Sequence, residues 1–418
     1  MNVAEKKRSR KLAWFLILTL MGFGISVGGG MLGGVLATLI PLNLERVAGL
    51  HPAVEDRAGR IFSAGVCGLN QVRTGSGCAE VVVTSVREEE VLFPSRLKDK
   101  GVVELFGTLS IPEGVEGKRP ALVIVHGSGP NLREGRVPGD LLAKYDQSFE
   151  LYRFMANEFA QQGFVVLRYD KRTSAPYRSQ IVPETFSFTD FMTDAQDALD
   201  FLAQHPRVQD NALVVLGHSQ GGQLAPHIVA DDPRVAATIL MGGSTQTFGA
   251  LVLEQLHRYG ELRKQRFDYL SQWLVALEAA PYRECFEPIM ANDFDPSDSC
   301  LGIPMREWAA YEALAQKTGD VMTQLHCPLM AIQGSMDINI DPLEIPRMQE
   351  IMKGKDAEFH YVYGLDHSLV SHFDRPSPIV VDEEALRRFR QFFASVPFPA
   401  LPEAKPPKET SPLETVRP

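Results

Sequence analysis

Cysteine is scarce in this chain, and clusters of basic residues are almost absent. Five cysteines occur among 418 residues, and none stands in a Cys-x-x-Cys pair or beside clustered histidines. The spacing therefore predicts no metal site and no cofactor. The formal net charge is −10, although the first 11 residues hold five basic side chains against one acidic one. Because no basic patch follows, nucleic-acid binding is not expected.

The few cysteines that are present fit an exported domain. Cys67 and Cys78 are close neighbours, and Cys285 and Cys300 flank a polar loop. Each pair is a candidate for a local disulfide, with five unpaired thiols as the alternative. Cys327 opens an apolar strand, so we expect a buried thiol there.

Charged residues are missing from one long segment, residues 12–44, which follows the basic start. A transmembrane helix needs about 20 apolar residues, whereas a secretory core uses roughly 7–15. We expect residues 1–44 to form a cytoplasmic stub and an uncleaved single-pass anchor in the cell membrane, with the catalytic part extracytoplasmic. Cleavage as a signal peptide near residues 26–28, giving a secreted or periplasmic protein, is the alternative. The sequence predicts no oligomeric state.

Short apolar runs alternate with helical patterns over residues 100–243 and again over residues 327–396. The runs have the continuous apolar character of strands buried on both faces. They lie at residues 121–125, 163–167, 213–216, 235–241, 328–332 and 358–362, with helices at 149–162, 188–205, 220–230, 342–352 and 382–393. This alternation predicts an α/β fold with a mostly parallel central sheet flanked by helices.

Three segments break the alternation. Residues 45–99 form an N-terminal extension, and antiparallel edge strands are predicted at residues 79–85, 91–93 and 102–111. Residues 244–326 lack a buried strand but contain helical stretches with large apolar side chains, which predicts a helical lid or cap. Residues 397–418 are rich in proline and charge, so we expect a disordered tail.

The most informative motif is Gly-x-Ser-x-Gly at residues 217–221, where an apolar strand leads into a helical segment. That context is the one a nucleophile elbow requires, and it makes Ser219 the predicted nucleophile. Gly217 and Gly221 supply the nearly side-chain-free positions that the tight turn needs. The backbone N–H of Gln220, at the start of the helix, is placed to stabilise an oxyanion.

A serine hydroxyl needs a base, and the base needs an acid to orient it. After an elbow these two residues come in the order acid, then histidine, each from a loop following a strand. Asp337 follows the strand at 328–332, and His367 follows the strand at 358–362. We therefore predict Asp337 as the acid and His367 as the base. Asp341 is the alternative acid, although its position suits a cap for the next helix.

The loop at residues 126–129, His-Gly-Ser-Gly, follows the first buried strand of the predicted parallel sheet. It is expected to supply the second oxyanion donor. We predict the backbone N–H of Ser128 for this role, with its hydroxyl as the alternative. Gly127 and His218 are predicted to border the bound substrate, and His218 is expected to pack beneath the elbow.

Asp170 and Arg172 end the neighbouring strand at the same edge of the sheet. The favoured interpretation is a structural pair that braces the oxyanion loop. In the alternative, Arg172 contacts an anionic group of the substrate.

These motifs resemble the α/β-hydrolase superfamily, in particular its esterase and acyl-peptidase-like branch. The similarity is carried by His-Gly at 126–127, Tyr-Asp-x-Arg at 169–172 and Gly-His-Ser-Gln-Gly-Gly at 217–222. It covers roughly residues 100–243 and 327–395. The resemblance implies an α/β-hydrolase fold and a catalytic triad of Ser219, Asp337 and His367.

One departure from this family concerns the pocket wall. Relatives commonly continue the Tyr-Asp-x-Arg turn with Gly-x-Gly, whereas this chain has Thr-Ser-Ala-Pro at residues 173–176. The wall beside the oxyanion loop is therefore expected to differ.

Taken together, the residues and the resemblance predict a membrane-anchored, extracytoplasmic serine hydrolase without a cofactor. A small-molecule acyl ester is the expected substrate, and an acyltransferase, a thioesterase or a peptidase with the same triad is the alternative. A binding protein on a catalytically retired hydrolase fold is a second alternative. It is disfavoured because no triad member is missing.

Overall fold

The computed structural model describes residues 71–74, 77–80, 82–97, 101–137, 149–174, 176–177, 186–264, 269–371 and 379–399. The predicted anchor at 12–44 and the pairing of Cys67 with Cys78 lie outside what is described. Within these ranges, no helix is both long enough and apolar enough to cross a membrane.

The first described strands form two antiparallel hairpins. Strands β1 (Gln71–Thr74) and β2 (Gly77–Glu80) pair with each other, as do β3 (Ser85–Leu97) and β4 (Gly101–Glu113). The predicted strand at 102–111 is confirmed, because it lies within β4. The predicted bounds 79–85 and 91–93 are wrong, because β2 ends at residue 80 and β3 runs without interruption from residue 85 to residue 97. Acidic residues 88–90 hide the strand in the sequence, yet they are tolerated because they lie at an exposed edge.

The first half of the α/β alternation follows the prediction closely. Its elements are β5 (Arg119–Val125), β6 (Arg136–Val137), β7 (Phe149–Glu150), α1 (Leu151–Gln161), β8 (Val165–Tyr169), α2 (Asp190–Gln204), β9 (Val208–His218), α3 (Gln220–Val229) and β10 (Val235–Met241). The short β6 and β7 pair with each other and stand apart from the main sheet. Strand β7 directly precedes α1.

A mostly helical insertion separates β10 from the next strand of the main sheet, as predicted for residues 244–326. It contains α4 (Phe248–Lys264), α5 (Tyr269–Met290), β11 (Ser299–Cys300), β12 (Ile303–Pro304), α6 (Met305–Ala315) and α7 (Thr318–Met322). The disulfide Cys285–Cys300 is confirmed and joins α5 to β11. Cys327, just after the insertion, is a buried free thiol, as predicted.

The alternation then resumes with β13 (Leu329–Gly334), α8 (Glu344–Ile351), β14 (Ala357–Val362) and α9 (Glu383–Ser395). The chain continues to pack beyond α9. Phe398 contacts the ring of Phe164, and the Gln209 side chain donates to the Pro399 carbonyl at 2.7 Å. The first three residues of the predicted disordered tail, 397–399, are therefore ordered against the body.

The main sheet has eight strands in the order β14-β13-β10-β9-β5-β8-β4-β3. The first six are mutually parallel, and β4 is antiparallel to both β8 and β3. The predicted mostly parallel sheet is confirmed. Because the carboxyl ends of parallel strands meet at one edge, the loops after β5, β9, β13 and β14 lie together there.

Two hydrophobic cores cover the two faces of this sheet. Along β5, Val123 faces one core and Leu122 the other, which is why the strand is apolar at every position. Helices α2 and α3 cover the first face, and α1 and α9 cover the second, where Phe159 packs edge-on against Phe389.

The insertion packs on the first face through aromatic side chains of α6. Tyr311 stacks on Phe188, with the ring centroids 4.7 Å apart, and its hydroxyl donates to the Gln223 side chain at 2.7 Å. Buried Glu312 accepts from the Gly249 N–H at 2.6 Å, at the start of α4. These contacts fix α4 and α6 relative to α3, the helix that begins at the elbow.

Candidate active site

Ser219 stands between the last residue of β9 and the first residue of α3. Its backbone has φ 57° and ψ −116°, a conformation that non-glycine residues rarely adopt. The Ser219 N–H donates to the Met241 carbonyl at 2.9 Å, and its own carbonyl accepts from Gln223 at 3.2 Å. The strained turn is thus held from both sides, in the geometry predicted for a nucleophile elbow.

The two glycines of the elbow are required by close backbone packing. A Cβ on Gly217 would lie 2.1 Å from the Gly221 carbonyl oxygen. A Cβ on Gly221 would lie 2.3 Å from the Val125 carbonyl oxygen and 2.7 Å from that of His126. No side chain fits at either position unless the backbone moves.

The substitution Gly221→Ala is therefore expected to lower the free energy of unfolding by at least about 2 kcal/mol, because the added methyl group meets rigid backbone. Urea unfolding measures this loss. Gly319→Ala is the matched control: it lies in helix α7, where the new Cβ would meet the Ile351 side chain, 3.2 Å from its Cδ1, instead of backbone. Equal stability of the two variants would contradict the packing described here.

The predicted acid and base meet at the same edge of the sheet. His367 Nδ1 lies 2.7 Å from Asp337 Oδ2. The other carboxylate oxygen accepts from the backbone N–H groups of Asn339 at 2.8 Å and Ile340 at 3.1 Å. The Asp337 side chain is fully buried. Such a fixed carboxylate holds the imidazole in one orientation and one tautomer.

The environment of His367 also sets its basicity. Burial lowers the pKa of the imidazole, but the charge of Asp337 and its hydrogen bond outweigh that effect. The pKa of His367 therefore lies above its ordinary value of 6.5. As a result, the ring becomes a proton acceptor only at pH values above that raised pKa.

The backbone at the end of β10 lies next to both Ser219 and His367. Met241 accepts from the Ser219 N–H, and a Cβ on the next residue, Gly242, would lie 2.9 Å from His367 Cε1. Among the described residues, no hydrogen bond links the Ser219 hydroxyl directly to His367. Catalytic hydrogen bonds are often long in unliganded sites. Gly242 was missed in the sequence, although a glycine pair directly after a strand is a signal of close approach.

The alternative acid, Asp341, does not reach His367. Its carboxylate accepts from the Leu343 N–H at 2.9 Å and contacts Arg347 at 3.3 Å, just before and within α8. The structure therefore places Asp341 in the turn before that helix, whose N-cap residue is Leu343, so Asp341 is neither the acid nor the helix cap.

The loop after β5 lies directly against the nucleophile. A Cβ on Gly127 would be 3.1 Å from Ser219 Cβ. The Asn131 side chain donates to the Gly127 carbonyl at 3.0 Å and to the Ser128 carbonyl at 2.8 Å. Within the described part of the chain, the Ser128 N–H has no protein acceptor. It is therefore available to a ligand, as predicted for an oxyanion donor.

Tyr152, which the sequence did not single out, connects this loop to His367 through His218. The Gly127 N–H donates to the Tyr152 hydroxyl at 2.9 Å, and that hydroxyl lies 3.0 Å from His218 Nδ1. His218 Nε2 lies 3.3 Å from the His367 carbonyl oxygen. Burial, with a smaller effect of His367, lowers the pKa of His218 to about 3, so its ring is neutral.

A neutral ring fixes the direction of this chain of hydrogen bonds. The Tyr152 hydroxyl donates to Nδ1, and Nε2–H donates to the His367 carbonyl. His218 thus packs beneath the elbow, as predicted. Both of its ring nitrogens, and the N–H of Gly127, bind protein groups. The predicted contacts of His218 and Gly127 with substrate remain predictions.

Tyr152→Phe is expected to reduce kcat about 10-fold and to lower the free energy of unfolding by about 1–3 kcal/mol, because it strands two buried polar groups beside the site. Tyr177→Phe is the control, since the Tyr177 hydroxyl accepts from the Phe106 N–H at 2.7 Å away from the elbow. We expect that variant to lose stability but to keep kcat. Similar kcat losses in both variants would rule out a specific role for Tyr152.

The predicted pairing of Asp170 with Arg172 is wrong, although both residues are structural. Asp170 instead accepts from the Arg133 backbone at 3.0 Å and pairs with its guanidinium at 3.1 Å, which braces the oxyanion loop. Arg172 is buried and binds Asp194 at 2.6 Å and Asp190 at 3.1 Å. Arg172 is therefore taken up by protein carboxylates instead of an anionic substrate group.

Comparison with known proteins identifies related sequences. Residues 144–374, more than half of the chain, match the family model described as serine aminopeptidase, S33. The chain is 24% identical over 284 residues to Esterase EstD of Thermotoga maritima, covering 68% of this chain and 62% of that protein. It is 30% identical over 108 residues to human acyl-coenzyme A thioesterase 6, covering 26% and 24%. The chain thus spans less than two thirds of each of these relatives.

Two solved structures that align with this chain carry the names of hydrolases. An esterase of Pyrococcus furiosus aligns with a TM-score of 0.45 and 15% identity, over 74% of this chain and 90% of that one. An acylaminoacyl peptidase of Pyrococcus horikoshii aligns with a TM-score of 0.46 and 17% identity, over 78% and 43%.

The family match extends from before α1 to beyond His367 and so includes the elbow, the acid and the histidine. The chain belongs to the S33 serine aminopeptidase family, within the α/β-hydrolase superfamily.

Proposed function

We propose that this protein is a carboxylic ester hydrolase that works through an acyl-enzyme on Ser219. The Ser219 hydroxyl attacks the acyl carbon while His367 Nε2 takes its proton, and Asp337 stabilises the imidazolium that forms. The observation that carries this proposal is the 2.7 Å contact between His367 and Asp337 at the sheet edge where the strained Ser219 stands.

The remaining steps complete one hydrolysis. His367 returns the proton to the leaving alcohol as the ester C–O bond breaks, which leaves the acyl group on Ser219. Water then attacks the acyl-enzyme, His367 takes a proton from that water, and the carboxylic acid leaves as the proton returns to Ser219. The N–H groups of Gln220 and Ser128 hold the oxyanion in both tetrahedral intermediates.

A screen of one acyl series presented as esters, thioesters and amides tests the reaction class. We expect kcat/KM to be highest for the esters. Preference for amides would instead favour peptidase activity, which the family name suggests, and preference for thioesters would favour thioesterase activity, as in the human relative. Either of these preferences would replace the ester proposal while leaving the triad roles in place.

The proposed location is the outer side of a membrane, with residues 12–44 as the anchor. Two observations support it: the charge-free run in that segment and the disulfide Cys285–Cys300, a bond that is rare in reducing compartments. Membrane fractionation followed by protease treatment of intact cells tests this location. Recovery of the full-length chain in the soluble cytoplasmic fraction would contradict it.

A further inference from the structure

Lys171, the residue between Asp170 and Arg172, buries its side chain behind the oxyanion loop. Its Nζ donates to the Gly127 carbonyl at 2.6 Å and to the Gln220 side-chain carbonyl at 2.8 Å. It also lies 4.2 Å from the centre of the Phe191 ring. One ammonium group therefore contacts both segments from which the proposed oxyanion donors come.

The first contact acts on the peptide group that contains the Ser128 N–H. In a trans peptide the carbonyl and the following N–H point in opposite directions. Because Lys171 and Asn131 both hold the Gly127 carbonyl oxygen, they also set the direction of the Ser128 N–H. A charged donor on the carbonyl further polarises the amide, which strengthens the hydrogen bond that its N–H donates by about 10–30%.

The second contact acts on Gln220, the first residue of α3. Its backbone N–H is free of intrahelical partners, as is usual in the first turn of a helix. Its side chain accepts from Lys171 and is thereby drawn toward the Gly127 loop. The buried Nζ of Lys171 therefore contacts both segments that carry an oxyanion donor.

We propose that Lys171 is a positioning residue of the oxyanion hole, whose ammonium holds the N–H groups of Ser128 and Gln220 so that they converge on one oxyanion. This proposal rests on the hydrolase mechanism above. Lys171 itself does not touch the reacting atoms.

Among the described residues no carboxylate forms an ion pair with Lys171, although the charge of Asp194 acts on it. On α2, Asp194 is engaged by Arg172 and by the Ser95 hydroxyl at 2.5 Å. Directly after β5, burial and the charge of Lys171 lower the pKa of His126 to about 3, so that ring is neutral, and on β8 burial raises the pKa of Tyr169. Burial lowers the pKa of Lys171 itself to about 7, against the opposing effect of the Asp194 charge.

Because of this environment, the effect of Lys171 on kcat can be distinguished from its effect on stability. A buried cation held by neutral acceptors costs folding free energy, so its removal should not destabilise the protein. Lys171→Met is expected to reduce kcat about 10- to 100-fold and to change KM by less than about twofold, with Tm equal or higher. Lys171→Gln, which keeps an N–H donor without the charge, should recover part of kcat.

The pH profile gives a second readout. The ammonium is present below about pH 7 and is lost as pH rises through that value. The wild-type kcat should therefore decline partially on the alkaline side, because the neutral amine still donates but more weakly. In Lys171→Met this alkaline decline should disappear, while the acid limb due to His367 should persist.

Three further variants complete the test. Lys118→Met, which removes an exposed lysine paired with Asp210 at 3.0 Å, is the matched control and should match the wild type. Gln220→Met should reduce kcat in the wild type but have no additional effect in Lys171→Met, since its side chain acts through the ammonium. Ser219→Ala checks the underlying mechanism separately.

A wild-type kcat in Lys171→Met would overturn the proposal. A loss of kcat together with a lower Tm and an unchanged alkaline limb would also overturn it, because that result would mean that Lys171 only stabilises the fold. Absence of ester turnover in the wild-type protein would instead refute the proposed function.

Discussion

Replacement of Ser219 by alanine is expected to lower kcat/KM for an ester by at least about 10,000-fold, because no other hydroxyl occupies the elbow. Alanine keeps the Cβ that lies beside Gly127, and it leaves the backbone hydrogen bonds of residue 219 unchanged. We therefore expect Tm to match the wild type. Steady-state hydrolysis together with thermal unfolding measures both quantities.

Ser128→Ala is the matched control for that substitution. It removes a hydroxyl from the neighbouring loop but leaves the backbone N–H that we assign to the oxyanion. Activity should stay within about threefold of the wild type, whereas loss of an oxyanion donor costs about 100- to 1,000-fold. A loss of that larger size would assign the donor to the Ser128 hydroxyl. If Ser219→Ala retained a turnover close to the wild-type rate, Ser219 could not be the nucleophile.

The second large effect is expected at the acid. In Asp337→Asn the amide can still bond to His367 Nδ1, but it no longer selects the tautomer in which Nδ1 carries the proton. Loss of this selection in a serine protease costs about 10,000-fold in kcat. We expect a decrease of about 1,000- to 10,000-fold here. Asp341→Asn is the matched control and should keep activity, because Asp341 lies in the turn before α8.

The pH dependence follows from the same contact. The charge of Asp337 favours protonated His367, so the wild-type kcat/KM should fall as pH decreases through a pKa above 6.5. In Asp337→Asn this acid limb should move to lower pH, since burial alone lowers the pKa of the imidazole. A pH–rate profile of residual activity measures the shift. An acid limb at the same pH in both proteins would show that Asp337 does not set the pKa of His367.

Much of the site follows from local sequence patterns. The apolar run ending at residue 216 identifies β9, and the glycines on both sides of Ser219 identify the elbow. Asp337 and His367 were found because each follows an apolar strand in the order that this chemistry requires. These features depend on residues that are near one another in the chain, and patterns of that kind are visible without tertiary information.

The supporting residues escaped prediction because their partners are distant in sequence. Lys171 stands in a run of charged residues, and nothing local distinguishes it from an exposed lysine. Tyr152 lies 66 residues from His218, and Asp170 lies 37 residues from its partner Arg133. In β3 the acidic residues 88–90 conceal a strand whose edge is solvated. Only packing of the whole sheet brings these groups together.

Labelling with a fluorophosphonate, followed by structure determination of the adduct, tests the central claim most directly. The account predicts a single adduct on the Ser219 hydroxyl, with the phosphonyl oxygen within hydrogen-bond distance of the backbone nitrogens of Gln220 and Ser128. His367 Nε2 should face the leaving-group side of the phosphorus. An unlabelled protein, an adduct on another residue, or an imidazole turned away from Ser219 would contradict the account.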